Sequence, residues 1–293
     1  MHLVATLALA GAILASLASA HPTPRAPSGH DHIHANCLAS ALMSRDDYAH
    51  LLRKRAAPVT DWSYEGATGP AFWSTINPNY TTCAMGTKQS PINLTPAETM
   101  SAAAPLTFMY PQTFAEVEVA NLGRTVEVVV PAETAFIMRD GVSYSLVQFH
   151  VHAPSEHHVM SNQFDAEVHF VHRNPADPAA LHVVGLFLSR STAAANAPGK
   201  SMISWLDTFL AAVPAAPGEM VKVPNFPIGG VPALLEMSGP YWQYEGSLTT
   251  PPCSEGVRWV VANAPLTVSG STISGLHSFM PFNARFTQKN VKP

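Results

Sequence analysis

Between residues 58 and 293 the apolar positions fall in short runs, at 106–110, 115–121, 125–130, 143–153, 164–173, 181–188 and 257–262. The runs are rich in Val, Phe, Tyr and Thr, and Gly, Pro, Asn and Asp separate them. That length and punctuation predict strands joined by turns. The longest helix the pattern predicts covers 201–213, where Met202, Leu206, Phe209 and Val213 recur at three- and four-residue steps. The expectation is a mostly β (α+β) domain with helices at its rim and no internal repeat.

The first 57 residues follow another pattern. Leu3 to Leu17 form an apolar run closing on Ala18-Ser19-Ala20, which predicts a signal peptide over 1–20, cleaved before His21. The run is too short to span a membrane, and no other stretch approaches about 18 apolar residues. Residues 21–34 mix prolines with His21, His30, His32 and His34, a composition that cannot repay its ordering entropy. From 36 to 55, Leu38, Leu42, Ala49 and Leu52 recur near helical spacing, and the run ends on Arg53-Lys54-Arg55. That basic end is either a solvated helix terminus or, ahead of Pro58, a dibasic processing site. The expected organisation is therefore a disordered tail, propeptide and linker over 21–57, then one domain over 58–293, secreted from the cell.

Composition narrows the function. With 47% hydrophobic and 12% charged residues and a formal net charge of -4, the chain has no electrostatic footprint for nucleic acid or an anionic membrane. A small-molecule substrate is the expected partner. Export permits pairing among Cys37, Cys83 and Cys253, but three cysteines leave one over. Two sequons, at Asn79 and Asn93, mark glycosylation candidates; Asn79 sits in a polar loop, whereas Asn93 follows Ile92 at a strand start.

The candidate chemistry lies on two predicted strands. Residues two apart on a strand share a face, so His150 and His152 point together. The strand from Ala166 to Arg173 carries His169, with Glu167 and Val171 on the same face and His172 opposite, where it reads as an ordinary packed histidine. If the two strands pair, three imidazoles converge on one ion. Three histidines with one position left to water is the catalytic zinc arrangement. Gln148 and Glu167 each precede a ligand by two and are placed to fix its tautomer.

Longer motifs identify a family. Gln148-Phe149-His150-Val151-His152, Ser155-Glu156-His157 and Glu167-Val168-His169-Phe170-Val171-His172 resemble the zinc-binding stretch of secreted α-class carbonic anhydrases. The segment from Tyr241 to Pro252 resembles the family's active-site loop. Trp62-Ser63-Tyr64, Gln89-Ser90-Pro91-Ile92-Asn93 and Asn283-Ala284-Arg285 match further segments, in family order from about Asp61 to the C-terminus. The resemblance implies a central, twisted, mainly antiparallel sheet with Zn2+ at the base of a conical cleft. It also implies hydration of carbon dioxide to bicarbonate and a proton by a hydroxide held on that zinc. Carried over residue by residue, Thr249 accepts the hydroxide's hydrogen bond and donates its own to Glu156. Val171, Val183, Leu248, Thr250, Val257 and Trp259 form the substrate pocket, and the Asn283 carbonyl orients His152. By the same resemblance Cys83 and Cys253 pair, against an alternative of two buried thiols, and Cys37 is left over.

One position departs from the family. After Asn121-Leu122-Gly123, where the most active members carry a proton-relay histidine, this chain has Arg124. A guanidinium stays protonated and is not competent to accept the proton. Export of the proton then falls to water and buffer or to a group such as Glu127. Two other readings use the same scaffold: a catalytically weak binding or adhesion domain, and a zinc esterase. The pattern leaves the oligomeric state open, a homodimer included.

Overall fold

The computed structural model describes residues 61–97, 99–101, 106–190 and 203–289. The expectations for 1–57, Cys37 among them, lie outside the described residues. Among the described residues no helix is long and apolar enough to cross a membrane.

A twelve-stranded mixed sheet dominates. Nine of its strands are β1 (Thr99–Ser101), β2 (Thr113–Asn121), β3 (Val126–Val129), β4 (Val142–His152), β5 (Ala166–Arg173), β6 (Leu181–Arg190), β7 (Met220–Pro227), β8 (Tyr241–Ser247) and β9 (Glu255–Ala262). Their spatial order is β7-β2-β3-β4-β5-β6-β9-β8-β1. Every neighbouring pair along this path is antiparallel except β6 with β9, in line with the expected mainly antiparallel sheet.

The central strands β4 and β5 are buried on both faces, and alternation divides their side chains. Phe149 and Phe170 face each other across the ladder and pack against Trp205 of helix α1 (Ser204–Ala212). Truncating either ring to Ala costs about 3–5 kcal/mol in such a core. Gln148, His150, His152, Glu167, His169 and Val171 therefore take the opposite face. Hydrophobic burial on one face thus holds the chemistry on the other.

Three elements differ from the sequence expectation. Helix α1 begins at Ser204 and ends at Ala212, shorter than 201–213, and residues 201 and 202 lie outside the described residues. It is also not the longest: α3 (Gly270–Phe279) has 10 residues against its 9, after α2 (Val231–Met237). Gly270, Ser271, Thr272, Ser274, Gly275 and Ser278 dilute the apolar periodicity of α3. The helix instead relies on a cap, the Ser269 hydroxyl accepting from the Thr272 amide at 3.1 Å, and on buried Ile273 and Leu276. The segment expected as an active-site loop is a strand through Ser247 and leaves the sheet only at Leu248.

Candidate active site

Strand register builds the centre. His150 and His169 are direct partners across β4 and β5, and His152 lies opposite Glu167. The ring centroids of His150, His152 and His169 lie 4.7–5.3 Å apart. One nitrogen from each falls within 4.8 Å of the others. All three rings are buried.

Each imidazole has its other nitrogen occupied. His150 Nδ1 donates to Gln148 Oε1 at 2.8 Å, His152 Nδ1 to the Asn283 carbonyl at 2.7 Å, and His169 Nε2 to Glu167 Oε1 at 2.9 Å. The remaining nitrogens converge, and His152 Nε2, fully buried, makes no hydrogen bond, its polar neighbour being Glu156 Oε2 at 3.4 Å. An orphaned buried imidazole nitrogen is costly unless an ion fills the gap. Burial pushes all three pKa values down, well down for His150 and to about 4 for His152. Neutral imidazole is the form a metal binds.

The outer partners are themselves tied. Burial alone would raise the Glu167 pKa, but His157 and His169 hold it well below the carboxylate range. Its Oε1 accepts from both of those rings, and its Oε2 from the amides of Glu156 and His157 at 2.9 and 2.8 Å. Gly185, opposite His169, leaves room for this: a Cβ there would meet Glu167 Oε1 at 3.0 Å. His157 Nδ1 donates to Glu167, and its Nε2 lies 2.6 Å from the Tyr244 hydroxyl. Tyr244 in turn contacts Ser90 Oγ at 2.8 Å. His157, Glu167 and His169 form a second cluster with metal-ligand spacing, but these hydrogen bonds make it the support of the first.

Glu156 is buried, and burial raises its pKa to about 7 against the opposing pull of His169, the Arg285 amide and a hydrogen bond to Thr249. Thr249 is therefore hydrogen-bonded to a carboxylate whose Oε2 lies 3.4 Å from His152 Nε2. Val171, Val183, Leu248, Val257 and Trp259 are buried in one apolar cluster. Val183 bridges Val171 on β5 and Trp259 on β9, and Trp259 packs on His169 with centroids 4.9 Å apart. Thr250 is buried next to Thr249. One wall of the centre is apolar and the other polar.

Comparison with known proteins decides the family. The model of the eukaryotic-type carbonic anhydrases matches residues 68–292. A carbonic anhydrase of Pectobacterium carotovorum is 38% identical over 229 residues, covering 77% of this chain and 86% of its own. The chain belongs to the eukaryotic-type carbonic anhydrase family. The solved fungal α-carbonic anhydrase of Aspergillus oryzae has a TM-score of 0.69 at 31% identity, covering 78% of this chain and 94% of its own. Dioscorin DB3L of Dioscorea polystachya, a relative with another name, is 26% identical over 260 residues.

As a carbonic anhydrase the chain is an enzyme, and its remaining landmarks fall as follows. Cys83 and Cys253 form a disulfide across 170 residues. It lies in a cluster with Trp62, Tyr64, Trp73 and Tyr80. The Arg124 guanidinium lies over the Trp62 ring, 4.7 Å from its centroid. Glu127 is fully buried on β3 as the ladder partner of His150. His172 takes the far face, its Nε2 2.7 Å from the Tyr110 hydroxyl. Asn79 is exposed in a short 3-10 turn, whereas the Asn93 side chain is spent on Ser161, accepting from its amide at 2.8 Å. Sequence reasoning assigned no role to Ser90, His157, Tyr244 or Arg285. Their partners lie up to 202 residues away, and each is an ordinary polar residue by itself.

Proposed function

We propose that the chain is a secreted, zinc-dependent enzyme that interconverts carbon dioxide and bicarbonate. The observation that carries this reading is the set of three buried, neutral imidazoles, each with one nitrogen pinned and the other turned to a common point. Three nitrogen donors without a thiolate suit Zn2+ in a catalytic site. When bound there, Zn2+ lowers the pKa of a water toward neutrality and so supplies hydroxide.

The protein's own groups do the rest. Glu156 takes the hydrogen of the Thr249 hydroxyl, so Thr249 Oγ1 is left to accept, and this fixes the direction of the attacking oxygen. Val171, Val183, Leu248, Val257 and Trp259 offer an apolar rest for carbon dioxide, with Thr250 beside them. Gln148, Glu167 and Asn283 hold the three rings in place. Arg124 is a fixed cation and relays no proton, so water, buffer or Glu127 takes it away. The complete triad and the Glu156–Thr249 pair speak against a binding scaffold without catalysis. The disulfide fits an oxidising compartment, in line with the signal-peptide pattern.

Stopped-flow carbon dioxide hydration tests the reading. The purified protein is expected to be active, to lose activity with a zinc chelator and to regain it with Zn2+. No hydration by zinc-loaded protein would overturn it. N-terminal sequencing of secreted material tests the export: a chain still starting at Met1 rules out the cleaved signal peptide.

A further inference from the structure

Arg285 is 2% exposed, and its guanidinium binds two backbone carbonyls and one side chain of the Cys83–Ser90 segment. Nη1 donates to the Ser90 carbonyl at 2.6 Å and to Gln89 Oε1 at 3.1 Å. Nη2 donates to the Cys83 carbonyl at 2.7 Å and again to Gln89 Oε1 at 3.1 Å. Gln89 passes the link on, its Nε2 donating to the Cys253 carbonyl at 3.1 Å and to Glu255 Oε1 at 3.0 Å. The guanidinium carbon lies over the Trp73 ring, 5.5 Å from its centroid. Meanwhile the backbone amide of Arg285 donates to Glu156 Oε1 at 2.9 Å.

We infer that Arg285 is a positioning residue for the reaction: its side chain locks residues 284–287 onto the Cys83–Ser90 segment, so that its own amide holds Glu156 toward Thr249. The inference deepens the carbonic anhydrase reading and rests on it. Residues 281–287 carry no regular secondary structure, so no helix or ladder fixes the amide of residue 285. Any residue supplies an amide, but only its placement makes the bond to a buried carboxylate. The planar guanidinium supplies that placement with four directed hydrogen bonds, a fork that a lysine ammonium does not reproduce. Through Gln89 and Cys253 the same residue reaches the far end of the Thr249 loop. Both sides of the Glu156–Thr249 pair are therefore referred to one anchor.

A double-mutant cycle separates positioning from plain stability. The set is Arg285→Met, Arg285→Lys and Thr249→Ala, alone and combined, in the zinc-loaded full-length protein. Arg285→Met is expected to lower kcat/KM at least tenfold with full zinc content, and Arg285→Lys to recover part of the loss. In the Thr249→Ala background the same replacement should change kcat/KM less than threefold, because the hydroxyl toward which Glu156 is held is gone. The drop in thermal midpoint should be equal in both backgrounds. Equal fold-losses in both backgrounds, or a loss that follows zinc content, overturns the inference. If Arg285→Met does not fold, Arg285→Lys carries the same cycle.

Cobalt-loaded protein gives a readout apart from turnover. Bicarbonate added to it should shift the visible spectrum with a half-saturation at least threefold altered by Arg285→Met, and unaltered when Thr249 is already Ala. An unchanged half-saturation in both backgrounds sinks the role. Wild-type protein without hydration activity would instead remove the carbonic anhydrase reading, and the cobalt titration would still judge Arg285.

Discussion

Thr249 and Arg124 show how much one side chain decides at this site. In the proposed reaction Thr249 contributes an acceptor whose direction is set by Glu156, to which its hydroxyl is hydrogen-bonded. Thr249→Ala removes that acceptor and leaves the imidazoles untouched, so kcat/KM is expected to fall roughly a hundredfold, as for loss of one preorganised polar contact, with zinc stoichiometry unchanged. Hydration kinetics beside metal analysis check this, and zinc loss in step with activity counts against it. Arg124 holds a permanent positive charge against the face of Trp62, and in the proposed reaction it relays no proton. Turnover should therefore climb with buffer concentration, and Arg124→His should raise kcat most where buffer is dilute. Indifference to both changes refutes the buffer-limited step. The two sequons divide in the same way: Asn79 is exposed, while Asn93 uses its amide to hold Ser161, a residue with φ of 68°. Glycosidase treatment of secreted protein should shift the mass of wild type and Asn93→Gln equally, and not that of Asn79→Gln.

Strands β5 and β6 carry a second set of histidines, away from the face of His150, His152 and His169, with a consequence for acid stability. His172 and His182 are ladder partners, and His172 bonds the Tyr110 hydroxyl. Burial pushes the His172 pKa down to about 3 from the usual 6.5. The unfolded chain then binds the extra proton first, so this group leaves stability unchanged above about pH 6.5. As pH falls from there toward 3, it removes about 1.4 kcal/mol per pH unit. His172→Phe fills the site without a base. It should cost stability at pH 7 through the lost Tyr110 bond, and the gap to wild type should narrow by about 3 kcal/mol at pH 4.5. Urea unfolding at the two pH values measures it; an unchanged gap refutes it. The periodicity of Val and Phe made β2 to β6 and β9 legible in the sequence, and the two-residue spacing made His150 and His152 legible with them. Helix α3 was hidden by its small polar residues, and β7 by Pro224, Asn225 and Pro227, tolerated on an edge strand. The hydrogen bonds from Ser90 through Tyr244 to His157 stayed hidden because they close over 154 and 87 residues. No local pattern reports such contacts.

Across the whole molecule, the Cys83–Cys253 disulfide joins the aromatic N-terminal cluster to the loop that follows Thr249. The constraint falls mainly on the unfolded chain, and for a loop of 170 residues chain entropy sets its upper value at roughly 5 kcal/mol. Native contacts partly duplicate it in the folded state: Gln89 Nε2 bonds the Cys253 carbonyl, and Ser90 and Ser247 exchange two hydrogen bonds at 2.8 and 3.0 Å. Stability and activity should therefore respond unequally to its removal. Replacing both cysteines by Ser is expected to lower the thermal midpoint by about 5–15 °C, from some 2–4 kcal/mol in a domain of this size. Well below that midpoint, kcat/KM should fall less than tenfold, because the remaining bonds still hold the loop near Glu156. Calorimetry and hydration kinetics on the doubly substituted protein decide between the two roles. A midpoint within about 1 °C of wild type would show that the bridge does not limit unfolding. A hundredfold loss of activity at 25 °C would show that the hydrogen bonds alone do not keep Thr249 in place.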